Sequence, residues 1–111
     1  MSSKIITVGS DFSRFPAGRT PLDGPYCGEK FRKEILMPAL REYDSVIVDL
    51  SGTVGYGSSF LEEVFGGLYR ESSIDDAMIN KLQVTANDRH KKFYVDRVRV
   101  YMEQARAQAK R

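Results

Sequence analysis

The run Val46-Ile47-Val48-Asp49-Leu50 constrains this chain more than any other feature. Four of its five residues are apolar and three are β-branched, the composition of a central strand covered on both faces. A glycine-bearing loop follows from Ser51 to Gly57, and then an amphipathic segment from Ser59 to about Arg70. Phe60, Leu61, Val64, Phe65 and Leu68 there fall at i, i+1, i+4, i+5 and i+8, the spacing of one buried helix face. A strand that feeds a helix through a short loop is the building block of a parallel α/β sheet.

The flanking segments extend the pattern. Ile5-Ile6-Thr7-Val8 reads as a first strand. A helix is expected from about Gly28 to Tyr43, with Phe31, Ile35, Ala39 and Tyr43 four residues apart and Leu36 and Leu40 beside them. Pro38 interrupts that stripe: it donates no hydrogen bond and its ring meets the carbonyl of Glu34, so a kink is expected. Lys81 to Thr85 alternates as a third strand. A last helix runs from about Arg89 to Ala109, with Asp88 as its cap and Tyr94, Val98, Tyr101 and Ala105 as its stripe. The order β-α-β-α-β-α predicts a small, mostly parallel sheet with right-handed crossovers and helices packed on it. The 111 residues make one domain, 1–111. Gly9 to Gly28 is long for a loop within a compact domain, so it is expected to be functional or to hold a short extra strand near Arg19-Thr20.

Composition narrows the classes of function. Cys27 is the single cysteine, so no intramolecular disulfide forms, in keeping with a reducing compartment. One histidine and one cysteine argue against a structural zinc site. The start of the chain has no signal-like apolar run, and no stretch approaches the roughly 20 apolar residues of a membrane span. A cytoplasmic protein with no membrane association is expected. The net charge of +2 is small, but residues 88–111 hold 8 Lys/Arg against 3 Asp/Glu. That basic helix could track nucleic-acid phosphates. Its charges are interspersed round an apolar stripe with no evident aromatic platform on the exposed face, so a solvated helix face is the favoured reading.

The candidate site lies where the strand of 46–50 meets the helix after it. Ser59-Phe60-Leu61-Glu62 fits a capping box, in which Ser59 accepts the amide of Glu62 and the Glu62 side chain returns to Ser59. Ser58 would then stand just outside the helix with a free hydroxyl. A phosphate there would meet unpaired amides and the positive end of the helix dipole, opposed by Glu62 and Glu63. Arg19, with the glycines around it, is a candidate anion-binding residue, although pairing with Asp23 or Asp49 is the simpler role. His90, flanked by Arg89 and Lys91, is expected to be exposed. The residues around Ser58 lack the Gly-x-Ser-x-Gly elbow, so hydrolysis is not expected. No catalytic residue, metal ligand or cofactor is read from the sequence.

Strand, loop, paired serine and amphipathic helix resemble the regulatory segment of STAS domains in anti-sigma-factor antagonists. Those end a strand in an acidic residue, two small hydroxyl residues and a glycine, and the first hydroxyl accepts phosphate from a partner kinase. On that resemblance Ser58 takes the acceptor position, while Gly57 replaces the acidic residue and Phe60 the glycine. The chain resembles still more closely the STAS-like family of unknown function. The resemblance is carried by Arg19, Asp23-Gly24-Pro25-Tyr26, Gly28-Glu29, Phe31-Arg32, Pro38-Ala39-Leu40 and Asp49. It continues through Gly55-Tyr56-Gly57-Ser58-Ser59-Phe60-Leu61-Glu62-Glu63 and Phe65-Gly66-Gly67-Leu68, covering about Gly18 to Arg70. Cys27 stands where a serine is expected, a poor substitute for a helix cap. This closer resemblance implies a STAS-like fold and no particular activity; with the likeness to anti-sigma-factor antagonists, a regulatory protein–protein module, not an enzyme, is the leading expectation. It would present Gly55, Tyr56, Gly57, Ser58, Ser59 and Glu62 to a protein partner. That partner would be an ATP-binding, histidine-kinase-like regulator such as an anti-sigma kinase. A nucleotide or small-anion binder using Arg19 is the first alternative, and nucleic-acid binding through the last helix the second.

Overall fold

A computed structural model describes residues 2–109, apart from the side chain of His90. The expected exposure of His90 and the charges of Lys110 and Arg111 therefore lie outside the described residues. Three parallel strands form the sheet: β1 (Ser3–Thr7), β2 (Ser45–Asp49) and β3 (Leu82–Thr85). Their spatial order is the order of the chain, β1-β2-β3. Right-handed crossovers between strands laid down in sequence all return over the same face. The helices therefore cover one side of the sheet, and the expectation of a doubly covered central strand is corrected. Val46, Val48 and Leu50 are buried, whereas Ile47 is only half-buried. The register aligns Ile47 with Ile5, which is 61% exposed, and with the exposed Gln83. The same unreversed order leaves no switch point between strands, so the crevice in which doubly wound folds bind ligands does not arise here.

The first strand ends one residue earlier than expected, and Val8–Asp11 forms a short helix, α1. Gly9 of α1 lies against the backbone of Gly52, and a Cβ at Gly9 would come within 2.7 Å of the Gly52 Cα. No extra strand forms near Arg19-Thr20. A 3-10 turn at Pro21–Asp23 takes that place, with the Asp23 carboxylate accepting the amides of Arg19 (2.9 Å) and Thr20 (3.1 Å). These backbone donors hold the Asp23 carboxyl below its ordinary range. The loop then folds back on the next helix. The carbonyls of Gly18 and Arg19 accept the amides of Gly28 and Glu29, both at 2.9 Å. The helix start is thus satisfied by main chain, and the thiol of Cys27, buried in the cap position, makes no capping bond.

Pro38 is accommodated by an unusual route. The helix runs as α2 (Gly28–Phe31), widens to a π-helical stretch over Arg32–Leu36, and resumes as α3 (Met37–Glu42). The Met37 amide bonds the Arg32 carbonyl five residues back. Wider turns shift the hydrogen-bond partners so that a proline at the first α-helical turn lacks a donor where none is needed. The disturbance expected at Pro38 thus takes the form of a π-bulge just before it, itself a source of helix bending.

The remaining elements are α4 (Ser58–Phe65), a 3-10 continuation over Gly66–Arg70, α5 (Asp76–Ile79) and α6 (Arg89–Ala109). Phe31, Leu36, Leu40, Phe60, Leu61, Val64, Phe65 and Leu68 close the core between the helices and the buried face of the sheet. No helix among the described residues is long and apolar enough to cross a membrane. Because the Gly9–Gly52 approach is backbone against backbone, Gly9→Ala is expected to lower stability by about 1–3 kcal/mol. Urea denaturation followed by circular dichroism checks it.

Candidate functional site

The carboxyl end of β2 is tied down first. The Asp49 carboxylate accepts the Ser51 amide (2.9 Å) and the Asn87 side-chain amide (3.3 Å), and the Ser51 hydroxyl accepts the Asn87 backbone amide (2.9 Å). These bonds join the loops after β2 and β3. From there the chain turns at Gly52 (φ +87°) and Gly55 (φ +151°), in backbone regions that side chains rarely adopt. Tyr56 anchors the far side of the loop. It is buried, and its hydroxyl donates to the Leu50 carbonyl at 2.7 Å. Burial holds its phenol well above the ordinary tyrosine range. Loop and helix start are therefore fixed to the strand that precedes them.

The helix begins one residue earlier than expected. Gly57 is the cap, in extended backbone conformation, and no side chain caps α4. Ser58 is the first helical residue, and Ser58 and Ser59 are both exposed. The Ser59–Glu62 capping box is thus overturned. The reason is that Glu62 is claimed by two arginines. Arg19 reaches it at 2.5 Å, and Arg70 binds both its oxygens at 2.9 and 3.0 Å. Bonds from charged donors outcompete one neutral amide.

Those pairs belong to a larger network of three guanidinium groups and three carboxylates. Arg32 is buried and contacts the Glu63 carboxylate (2.8 Å), the Glu63 carbonyl and the Glu71 carboxylate (3.0 Å). Arg19 also approaches Glu63 at 3.4 Å. Arg19 therefore pairs with α4 and not with Asp23 or Asp49 through its side chain. As a candidate anion site it is already occupied by carboxylates. Glycines make the room: a Cβ on Gly67 would meet the Arg32 guanidinium, and one on Gly28 would lie 2.9 Å from the Phe60 carbonyl.

On the other flank of the helix start, α6 supplies what the sequence reading missed. Tyr56, Ser58, Leu61, Phe93, Tyr94, Arg97 and Tyr101 line a cleft of about 200 Å³. Phe93 is 64% exposed and packs edge-on against Tyr94, which packs edge-on against Tyr56. The Arg97 guanidinium lies over the Tyr101 ring, 5.1 Å from its centre. An aromatic surface does exist on the exposed side of α6, against expectation, and it adjoins Ser58. The spacing Tyr94, Arg97, Tyr101 (i, i+3, i+7) was the available signal. Other basic residues of α6 are engaged: Lys91 is buried and pairs with Asp88 at 3.5 Å, and Arg99 pairs with Asp96 at 2.7 Å. Among the described residues, no group of three or more His, Cys, Asp or Glu is arranged to hold a metal ion.

Two outcomes follow from the ion-pair network. Arg32→Ala leaves Glu63 and Glu71 without their buried partner, and is expected to cost about 3–5 kcal/mol in chemical denaturation. Hydrogen bonds from Arg70, and then from Arg19, hold the Glu62 carboxyl below its ordinary value of 4.5. The unfolded chain binds that proton more readily, so this contribution to stability is complete above pH 4.5 and is lost as pH falls through the folded value. Melting temperature followed against pH should fall less steeply in that acid range for Glu62→Gln than for the wild type.

Comparison with known proteins agrees with this architecture. Searches of curated proteins and of solved structures returned no match. A family model described as "STAS-like domain of unknown function (DUF4325)" matches residues 27–91. The match takes in β2, the loop, the whole of α4, the network glycines and β3, whereas Arg19 and Asp23 to Tyr26 precede it. With more than half its length so matched, the chain belongs to the STAS-like domain family of unknown function.

Proposed function

We propose that this STAS-like domain is a regulatory protein–protein module, not an enzyme, and that its partner docks on the start of α4 and the aromatic cleft beside it. The observation that carries this reading is the exposure of Ser58 at the edge of a cleft bearing Phe93 and Arg97. Exposed aromatic and arginine side chains around a shallow cleft are the residue types that dominate binding energy at interfaces. Partner-facing residues are then Gly55, Gly57, Ser58 and Ser59, with Tyr56 and Glu62 holding the surface in shape from within.

The resemblance to anti-sigma-factor antagonists makes an ATP-binding, histidine-kinase-like regulator the leading partner and Ser58 its phosphoacceptor. A phosphate there would stand at an uncapped helix start, near the Arg97 guanidinium. A charge on Ser58 that docking must desolvate weakens that docking. The anion-binding alternative is disfavoured by the carboxylates already on Arg19, and the nucleic-acid alternative by the internal pairing of Lys91 and Arg99. On this reading the protein acts in the cytoplasm, as such regulators do.

Pull-down against histidine-kinase-like proteins encoded beside it, using wild type, Ser58→Ala, Ser58→Asp and Phe93→Ala, tests the reading. Ser58→Ala should bind as wild type does, Ser58→Asp about tenfold more weakly, and Phe93→Ala about tenfold more weakly. Equal binding by all four forms would remove this surface from the interface.

A further inference from the structure

A second surface, across α6 from the aromatic cleft, points to self-association. β3 is the end strand of the sheet. The Lys81 and Thr85 carbonyls bond β2 through the amides of Val46 and Leu50. Alternation therefore directs the amide and carbonyl groups of Leu82 and Val84 out of the sheet edge. Beside that edge runs a groove of about 390 Å³, with Tyr69, Leu82, Val84, Val95, Val98 and Met102 as its apolar lining. A free strand edge bordering an apolar groove is a surface that proteins cover.

The rim of the groove says what covers it. Asp96, Arg99, Glu103 and Arg106 line its α6 side, all exposed, at i, i+3, i+7 and i+10 along one helix stripe. Their signs alternate along the stripe. They are also placed symmetrically about the level of Tyr101: Arg99 and Glu103 lie two residues to either side, Asp96 and Arg106 five. An antiparallel copy of the same helix, related by a two-fold axis at that level, sets each positive residue against a negative one. Arg99 faces Glu103 of the second copy, and Asp96 faces Arg106. Asp96 and Arg99 pair with each other within one copy at 2.7 Å, an exposed pair that a facing copy can extend into a four-charge cluster across the axis. Glu103 and Arg106, in contrast, make no ion pair among the described residues and are available to a second copy. A two-fold contact requires a self-complementary surface, and this stripe is one.

We propose that the chain forms a two-fold homodimer in which α6 packs antiparallel against α6 of a second copy and the β3 edges adjoin across the axis. Burial of the groove supplies the affinity, and the charge stripe sets orientation and register. The cleft beside Ser58 stays open in such a dimer because Phe93, Arg97 and Tyr101 lie on another flank of α6.

Sedimentation equilibrium of the full chain at concentrations up to about 100 µM, with charge-reversal variants, tests the proposal. The wild type should be a dimer. Because each residue acts twice across a two-fold, Arg99→Glu and Glu103→Arg should each weaken association by about tenfold or more. The double variant restores opposite charges and should return to within about threefold of wild type. Circular dichroism melts establish that the variants fold, and Asp96→Arg with Arg106→Asp provides a second swap if one does not. A wild-type monomer over this range overturns the proposal and leaves the groove to a different partner. So does a dimer that single reversals leave unchanged, or a double variant no tighter than the singles.

Discussion

The guanidinium group of Arg32 is the point on which the arrangement of the helices turns. It is buried between the carboxylates of Glu63 and Glu71 and a main-chain carbonyl of α4. A cation so placed is tolerated only when its donors are met, and these three acceptors come from α4 and the segment after it. Arg19 and Arg70 close the network over Glu62. The axis of α4, and with it the position of Ser58, is thereby fixed by charges at its middle and not by a cap at its end. Gly28 and Gly67 are the steric counterpart of the same network, since a side chain at either would push the helices apart.

Freed from capping, the start of α4 is steadied further by the loop that leads into it. Tyr56 ties the loop to Leu50, and Asp49 and Asn87 tie the ends of neighbouring strands together. The serines sit on a rigid base while carrying no structural duty of their own. A residue without a structural bond can be modified or buried by a partner without loosening the domain. That separation of support from contact surface suits a regulatory module.

Much of this was legible in the chain. The apolar run at 46–50, the stripe from Phe60 to Leu68 and the last helix all emerged at close to their observed limits, because local periodicity decides them. What was not legible depended on residues distant in sequence. Ser59 looked like a cap because Glu62 stood three residues on, yet Arg19 and Arg70 take Glu62. Val46 to Leu50 read as covered on both faces, but strand order decides coverage, and no local pattern encodes order. Pro38 signalled a disturbance, while its form, a π-bulge placed before the proline, depends on how the whole helix packs. Phe93 was passed over because exposure is a tertiary property.

A sheet whose strands stand in the order of the chain also bears on biosynthesis. The ribosome delivers β1 before β2 and β2 before β3, so each arriving strand finds its hydrogen-bonding neighbour already outside the exit tunnel. No strand has to insert between two that have already paired, and each waits only for the next strand in the chain. Nascent-chain exposure, the period in which such edges invite aggregation, is kept short by topology alone.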